Sequence, residues 1–78
     1  MQAYPNPFTA SFKIIPLDGE KATLFYQVYD MTGKLIDNRE VAASEVSELQ
    51  IGDNFSSGVY NVIVSQGENT KAMRIVKH

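Results

Sequence analysis

The sequence predicts an all-β sandwich of six or seven short strands. Three observations carry that prediction. Apolar and polar residues alternate at period two along most of the chain. Turn-forming clusters recur at intervals of roughly 8–12 residues, which is the spacing of a sandwich. No apolar stripe at helical spacing is long enough to argue for a helix instead. At 78 residues the chain makes one small domain, and a chain of that size buries only roughly 60–65% of its unfolded surface.

The elements follow in order. Phe12 and Ile14 alternate with Ser11 and Lys13, giving a first strand that stops at Pro16. Leu17-Asp18-Gly19-Glu20 is turn chemistry. Ala22 to Asp30 is the longest strand candidate. Leu24, Tyr26 and Val28 share one of its faces and are assigned to the core, because Gln27 lies on the other. Phe25 and Tyr29 leave that second face partly apolar. Asp30-Met31-Thr32-Gly33 is a tight connection in which Asp30 can accept from backbone N–H groups two or three residues on, and Gly33 supplies a positive φ.

Lys34 to Val41 returns as the second arm of that hairpin. Ala42 to Glu48 is compatible with a helical turn, whereas Ser47 to Ile51 reads as a short strand with Leu49 and Ile51 alternating. Gly52 to Gly58 is a loop rich in Asp, Asn and Ser. Gly58 to Val64 is a strand with Tyr60, Val62 and Val64 inward. Gln66-Gly67-Glu68-Asn69 closes a hairpin onto a last strand, Thr70 to Lys77, with Met73 and Ile75 inward. There is no internal repeat and no low-complexity segment. Residues 1–8 read as a linker end and a proline-rich lead-in, and residues 9–78 as the single sandwich domain.

The lead-in is the most distinctive stretch. Tyr4-Pro5-Asn6-Pro7-Phe8 combines a stiff turn with two aromatics that must be buried or bound. Each proline fixes φ near about −65° and removes a backbone donor, so the run cannot pair fully inside a sheet. Each also pushes its predecessor, Tyr4 or Asn6, toward extended geometry.

Composition narrows the function classes. The net charge is −2, which argues against nonspecific nucleic-acid binding. There is no cysteine, so neither disulfides nor thiol chemistry is available, and the redox compartment is left open. No apolar run approaches the ~20 residues that span a bilayer. No basic n-region precedes an apolar h-region in this stretch, so no N-terminal export signal of the usual kind is expected in it. Acids dominate Asp37 to Asp53, against Arg39 alone, while Lys71, Arg74 and Lys77 make the end basic. Such runs are ordinarily solvated faces; the functional reading presents the basic end to a partner.

The residue inventory argues against an enzyme. The one histidine, His78, is terminal, and a catalytic base needs a second group to hold it. No Ser/His/Asp triad, zinc cluster or phosphate-binding glycine loop can be assembled. Carboxylates can be paired from Asp18 and Glu20, or Asp53 taken with Asn54, but neither loop matches a calcium spacing. No metal and no cofactor is expected. Asn54-Phe55-Ser56 fits a glycosylation sequon, a three-residue match that decides nothing. Phe12, Tyr26 and Tyr60 are read as core, and Phe55 as a plug folding back onto it. Phe25 and Tyr29 are read as packing, with a sugar-stacking platform or a protein contact as the functional alternatives.

Taken together, four pieces form a pattern: Tyr4-Pro5-Asn6-Pro7-Phe8; Val28-Tyr29-Asp30-Met31-Thr32-Gly33-Lys34-Leu35-Ile36; Ser57-Gly58-Val59-Tyr60 with Val62 and Val64; and Arg74-Ile75-Val76-Lys77. In this order, and over essentially the whole chain, they resemble the type A C-terminal sorting domain of the type IX secretion system. The resemblance implies a seven-stranded immunoglobulin-like sandwich without catalytic activity, covalently preceded by a cargo protein. It implies a Gram-negative source and recognition by the translocon, with a sortase that removes the domain in many members. It implies passage through the periplasm and across the outer membrane to the cell surface or the medium. Because Met1 directly precedes the domain, the chain is read as an excised fragment; His78 after Lys77 departs slightly from the family's basic ending.

Under that resemblance Pro5, Asn6 and Pro7 fix the junction with the cargo. Asp30 and Gly33 fix the central hairpin with Lys34 exposed after it, and Gly58 gives tight access to the strand carrying Tyr60. The exposed positions of the last strand, Lys71, Arg74 and Lys77, are the recognition candidates. If that strand lies at a sheet edge, a partner can add a strand beside it, and the isolated domain can dimerise there. The rival from another class is a carbohydrate-binding or adhesion module of an extracellular enzyme, using Phe25, Tyr29 or Tyr4. A structural spacer is the third reading.

Overall fold

A computed structural model describes residues 1–16, 19 and 21–78. The expected turn residues Leu17, Asp18 and Glu20, and the carboxylate pairing drawn from Asp18 and Glu20, lie outside the described residues. The described chain is all-β. Its strands are β1 (Gln2–Tyr4), β2 (Lys13–Ile15), β3 (Leu24–Tyr29), β4 (Leu35–Val41), β5 (Gly58–Gln66) and β6 (Asn69–Lys77), with one 3₁₀ turn at Val46–Glu48. They form two antiparallel sheets, a two-stranded β1-β2 and a four-stranded sheet in the order β4-β3-β5-β6.

Alternation builds the larger sheet. Leu24, Tyr26 and Val28 point inward from β3; register sets Tyr26 opposite Val64 and Val28 opposite Val62 on β5. Tyr60 in turn pairs with Ile75 of β6. One face of the sheet is thereby continuous and apolar, as the period of two requires. Phe12 and Ile14, both fully buried, join it in one core with Phe8, Val46 and Ile51. Tyr26 keeps its hydroxyl on Asp37 of β4 at 3.2 Å; burial, reinforced by that carboxylate, pushes the phenol up to about 12.

Four details depart from the pattern read in the sequence. First, Gln2–Tyr4 is a strand, paired with β2 in the register Ala3 opposite Ile14, where a linker was expected. Three residues carry too little alternation to announce a strand; the pairing comes from β2. Second, Ser47–Ile51 is not a strand. The amides of Glu48 and Leu49 bond back to Glu45 and Val46, closing a turn that drops Val46 into the core. Only Ile51 pairs, through two bonds with Phe12 of 2.9 and 3.0 Å. Third, Gln66 is fully buried at the end of β5, donating to the Ala22 carbonyl at 3.0 Å. Fourth, the last hairpin is tighter than expected, with only Gly67 and Glu68 between the strands and Gly67 at φ +61°.

Candidate functional site

The two ends of the chain meet. β6 is an edge strand of the larger sheet, and an edge exposes a row of unpaired N–H and C=O groups. Over its C-terminal half that row is filled by the opening run. The Asn6 carboxamide donates to the Arg74 carbonyl at 2.9 Å and accepts from the Val76 amide at 3.0 Å. The Phe8 amide then donates to the Val76 carbonyl at 2.8 Å, and the His78 amide to the Phe8 carbonyl at 2.9 Å. The result is a short parallel ladder in which a side-chain amide takes the place of a peptide. Pro5 and Pro7 have no N–H to offer, and both peptide bonds into them are cis.

Phe8 anchors the run. It is 1% exposed and tilts against Phe12 at 5.1 Å between ring centroids. The Lys77 ammonium sits 5.7 Å above its ring and donates to the carbonyls of Gly52 and Asp53 at 2.8 and 3.2 Å. Gly52 closes the pocket. It holds φ +86°, and a Cβ there would stand 3.1 Å from Phe8 and 3.0 Å from Phe55. Tyr4, by contrast, is half exposed.

The three basic residues of β6 therefore do different things. Alternation puts Lys71 and Lys77 on the core side of the strand with Met73 and Ile75, and Arg74 on the outer side. Lys77 is engaged with Phe8 and the Gly52 loop. Lys71 is exposed and reaches the Met1 carbonyl at 2.9 Å. Lys71 and Arg74 both line a groove of about 360 Å³ between β6 and β1, together with Gln2, Ala3 and Asn6. No carboxylate lines that groove among the described residues.

The other marked residues are local scaffolding in geometry. Asp30 Oδ1 accepts from the Thr32 amide at 2.9 Å, the Thr32 hydroxyl at 2.6 Å and the Lys34 amide at 3.0 Å. These bonds hold its carboxyl below the usual range, the Thr32 hydroxyl first and the Lys34 amide next. Gly33, at φ +85°, completes the turn, and Lys34 stands exposed beyond it. Gly58 opens β5, and Tyr60 two residues on reaches back through its hydroxyl to the Ser56 carbonyl. Phe55 packs against the Tyr60 ring, tilted by 35° with 4.9 Å between centroids, and is half-buried against the core.

Phe25 and Tyr29 lie on the outer face of the sheet, opposite Ser65 and Asn61 of β5. Phe25 is 36% exposed, and Tyr29 is half-buried. Sequence reasoning missed the central role of the Asn6 side chain. The available signal was its position between two residues that lack donors.

A family model described as a secretion system C-terminal sorting domain matches residues 2–78. No curated protein and no solved structure matches the chain significantly. Domains of this family are generally non-catalytic and follow a cargo protein that the secretion machinery handles. The match spans both the opening run and the basic last strand, the two segments that the fold brings together. The chain belongs to the family of type IX C-terminal sorting domains, which mark proteins of Gram-negative bacteria for secretion across the outer membrane to the cell surface or the medium.

Proposed function

We propose that this domain is a non-catalytic export label that acts by being bound, and that the translocon reads it along β6. The observation that carries this reading is the state of that edge. Its C-terminal half is closed by the opening run, while Thr70, Lys71, Ala72 and Arg74 are exposed beside a groove whose charged side chains are both cationic. Lys71 and Arg74 then make the contact, and Lys77 supports it from behind by holding Phe8 and the Gly52 loop.

The remaining motif positions serve the shape. Tyr4, Pro5, Asn6, Pro7 and Phe8 mark the junction where cargo gives way to label, and a sortase acting ahead of this run removes the label after export. Asp30, Gly33 and Lys34 set the central hairpin. Gly58 and Tyr60 set the start of β5. The Tyr60 hydroxyl returning to the Ser56 backbone is the kind of corner found in immunoglobulin-like sandwiches, and it supports that architecture for the two sheets.

A fusion tests the function as a whole. The domain is joined to a reporter enzyme that already carries an inner-membrane export signal, in a bacterium with type IX machinery. The reporter is expected at the cell surface or in the medium, and in the periplasm of a strain lacking the translocon. Periplasmic retention in both strains, with the domain folded, contradicts the reading.

A further inference from the structure

The opening run pairs with the edge of β6 over its C-terminal half only, through two bonds of the Asn6 side chain and two backbone bonds of Phe8. Two side chains fasten the run: Asn6, which is exposed, and Phe8 in its pocket. Thr9 and Ala10, which follow, are exposed as well. Val76 and Arg74 turn their ladder groups toward the run, so the period of two turns those of Ala72 and Thr70 the same way. Among the described residues, no bond fills that open half. The closed and open halves are thus one continuous edge.

From this continuity we propose that a partner's extended segment docks on β6 as an added parallel strand, starting on the open half and displacing the opening run. The site states the chemistry of that segment. Parallel pairing sets its N-terminal end beside Lys71 and Arg74, where acidic side chains are complementary. Its C-terminal end takes the place of Phe8, so it ends on an aromatic residue that fits between Phe12, Gly52 and Lys77. Main-chain bonds supply affinity and the two side-chain subsites supply selection, as in other strand-addition complexes. The opposite edge is less suited. β4 has a register shift opposite Val28 and Tyr29, and exposes Arg39 and Glu40, both devices that discourage strand addition.

The proposal rests on the reading that β6 is the recognised strand, and its test does not involve export. The probe is a synthetic peptide, Glu-Thr-Val-Glu-Asn-Val-Phe-Thr, whose two glutamates fall opposite Lys71 and Arg74 when its Phe takes the place of Phe8, titrated into the full chain by calorimetry with amide exchange followed by NMR. Binding is expected to protect the Thr70 and Ala72 amides and to free the Asn6 carboxamide. Replacing the two peptide glutamates by lysine, or its Phe by Ala, is expected to weaken binding at least about tenfold, the equivalent of 1.4 kcal/mol.

Asn6→Ala loosens the competing run and is expected to tighten the peptide severalfold. Protection of the β5–β6 ladder certifies that this variant is folded, and Asn6→Gln, which displaces the amide by one methylene, serves if it is not. Unchanged or weaker affinity in both loosened variants overturns the proposal. So does peptide-independent dimerisation of them through β6, which would make a second copy the occupant. Peptide binding without export of the fusion faults the sorting mechanism alone; export without peptide binding faults the displaced strand alone.

Discussion

Asn6 and Val76 are 70 positions apart in the chain, and the Val76 amide donates to Asn6 Oδ1 at 3.0 Å. With the bond from Asn6 Nδ2 to the Arg74 carbonyl, one side chain closes two adjacent groups of an edge strand. The start of the label is thereby made a structural part of its end.

Asn6→Ala removes both bonds and is expected to cost roughly 1–2 kcal/mol, since each net hydrogen bond contributes about 1 kcal/mol. Urea unfolding measures the loss. Amide exchange locates it: the Val76 amide should lose protection while the amides bonded between β5 and β6 keep theirs. A variant as stable as the parent would mean that the run does not hold the edge.

Lys77 and Lys71 are expected to separate. Lys77→Met leaves the carbonyls of Gly52 and Asp53 without their donor and removes the cation above Phe8. A loss of roughly 1–3 kcal/mol follows. Lys71→Met lies on the surface and should stay within about 0.5 kcal/mol of the parent. Thermal and urea unfolding of the two variants side by side decide the matter.

Gly52→Ala should be the most damaging glycine change. The backbone is at φ +86°, and the new Cβ would press on both Phe8 and Phe55. A loss of about 2–3 kcal/mol is expected from the two effects together. Gly33→Ala meets open space at φ +85°, so only the backbone cost of about 1 kcal/mol applies. Equal losses at the two positions would show that the aromatic pocket yields freely.

These sites differ in how legible they were. The central strands could be read directly, because Leu24, Tyr26, Val28, Tyr60, Val62 and Val64 alternate without interruption and all six are buried. The Asp30–Gly33 turn was readable because its chemistry is local: the acceptor, the donors and the glycine fall within five residues. The clamp was not. Asn6 finds its partners 68 and 70 positions away, and nothing in the local pattern announces a side chain that will stand in for a peptide. The basic trio was legible only as a count of charges. Counting charges grouped Lys71, Arg74 and Lys77, whereas the strand period splits them and the Gly52 carbonyl claims Lys77. Ser47–Ile51 failed as a strand because two local amide bonds satisfied the backbone first.

Acid should weaken the central hairpin. The folded chain holds the Asp30 carboxyl below its unfolded value through Thr32 and Lys34. A lowered folded pKa means that the stabilisation is present above the unfolded pKa of about 3.9 and is lost as pH falls through the folded one. Asp30→Ala should flatten that part of the stability–pH profile. NMR titration of the Asp30 carboxyl should find its midpoint below that of ordinary aspartates; a midpoint at or above about 3.9 would contradict the geometry of the turn.

The most direct test of the account is export of the reporter fusion carrying Lys71→Glu and Arg74→Glu together. The charge of the groove is reversed while the Asn6, Phe8 and Lys77 contacts remain. A folded domain is expected, shown by retained protection of the β5–β6 amides, with the reporter trapped in the periplasm. Export at the parental level by the folded variant would contradict recognition along β6.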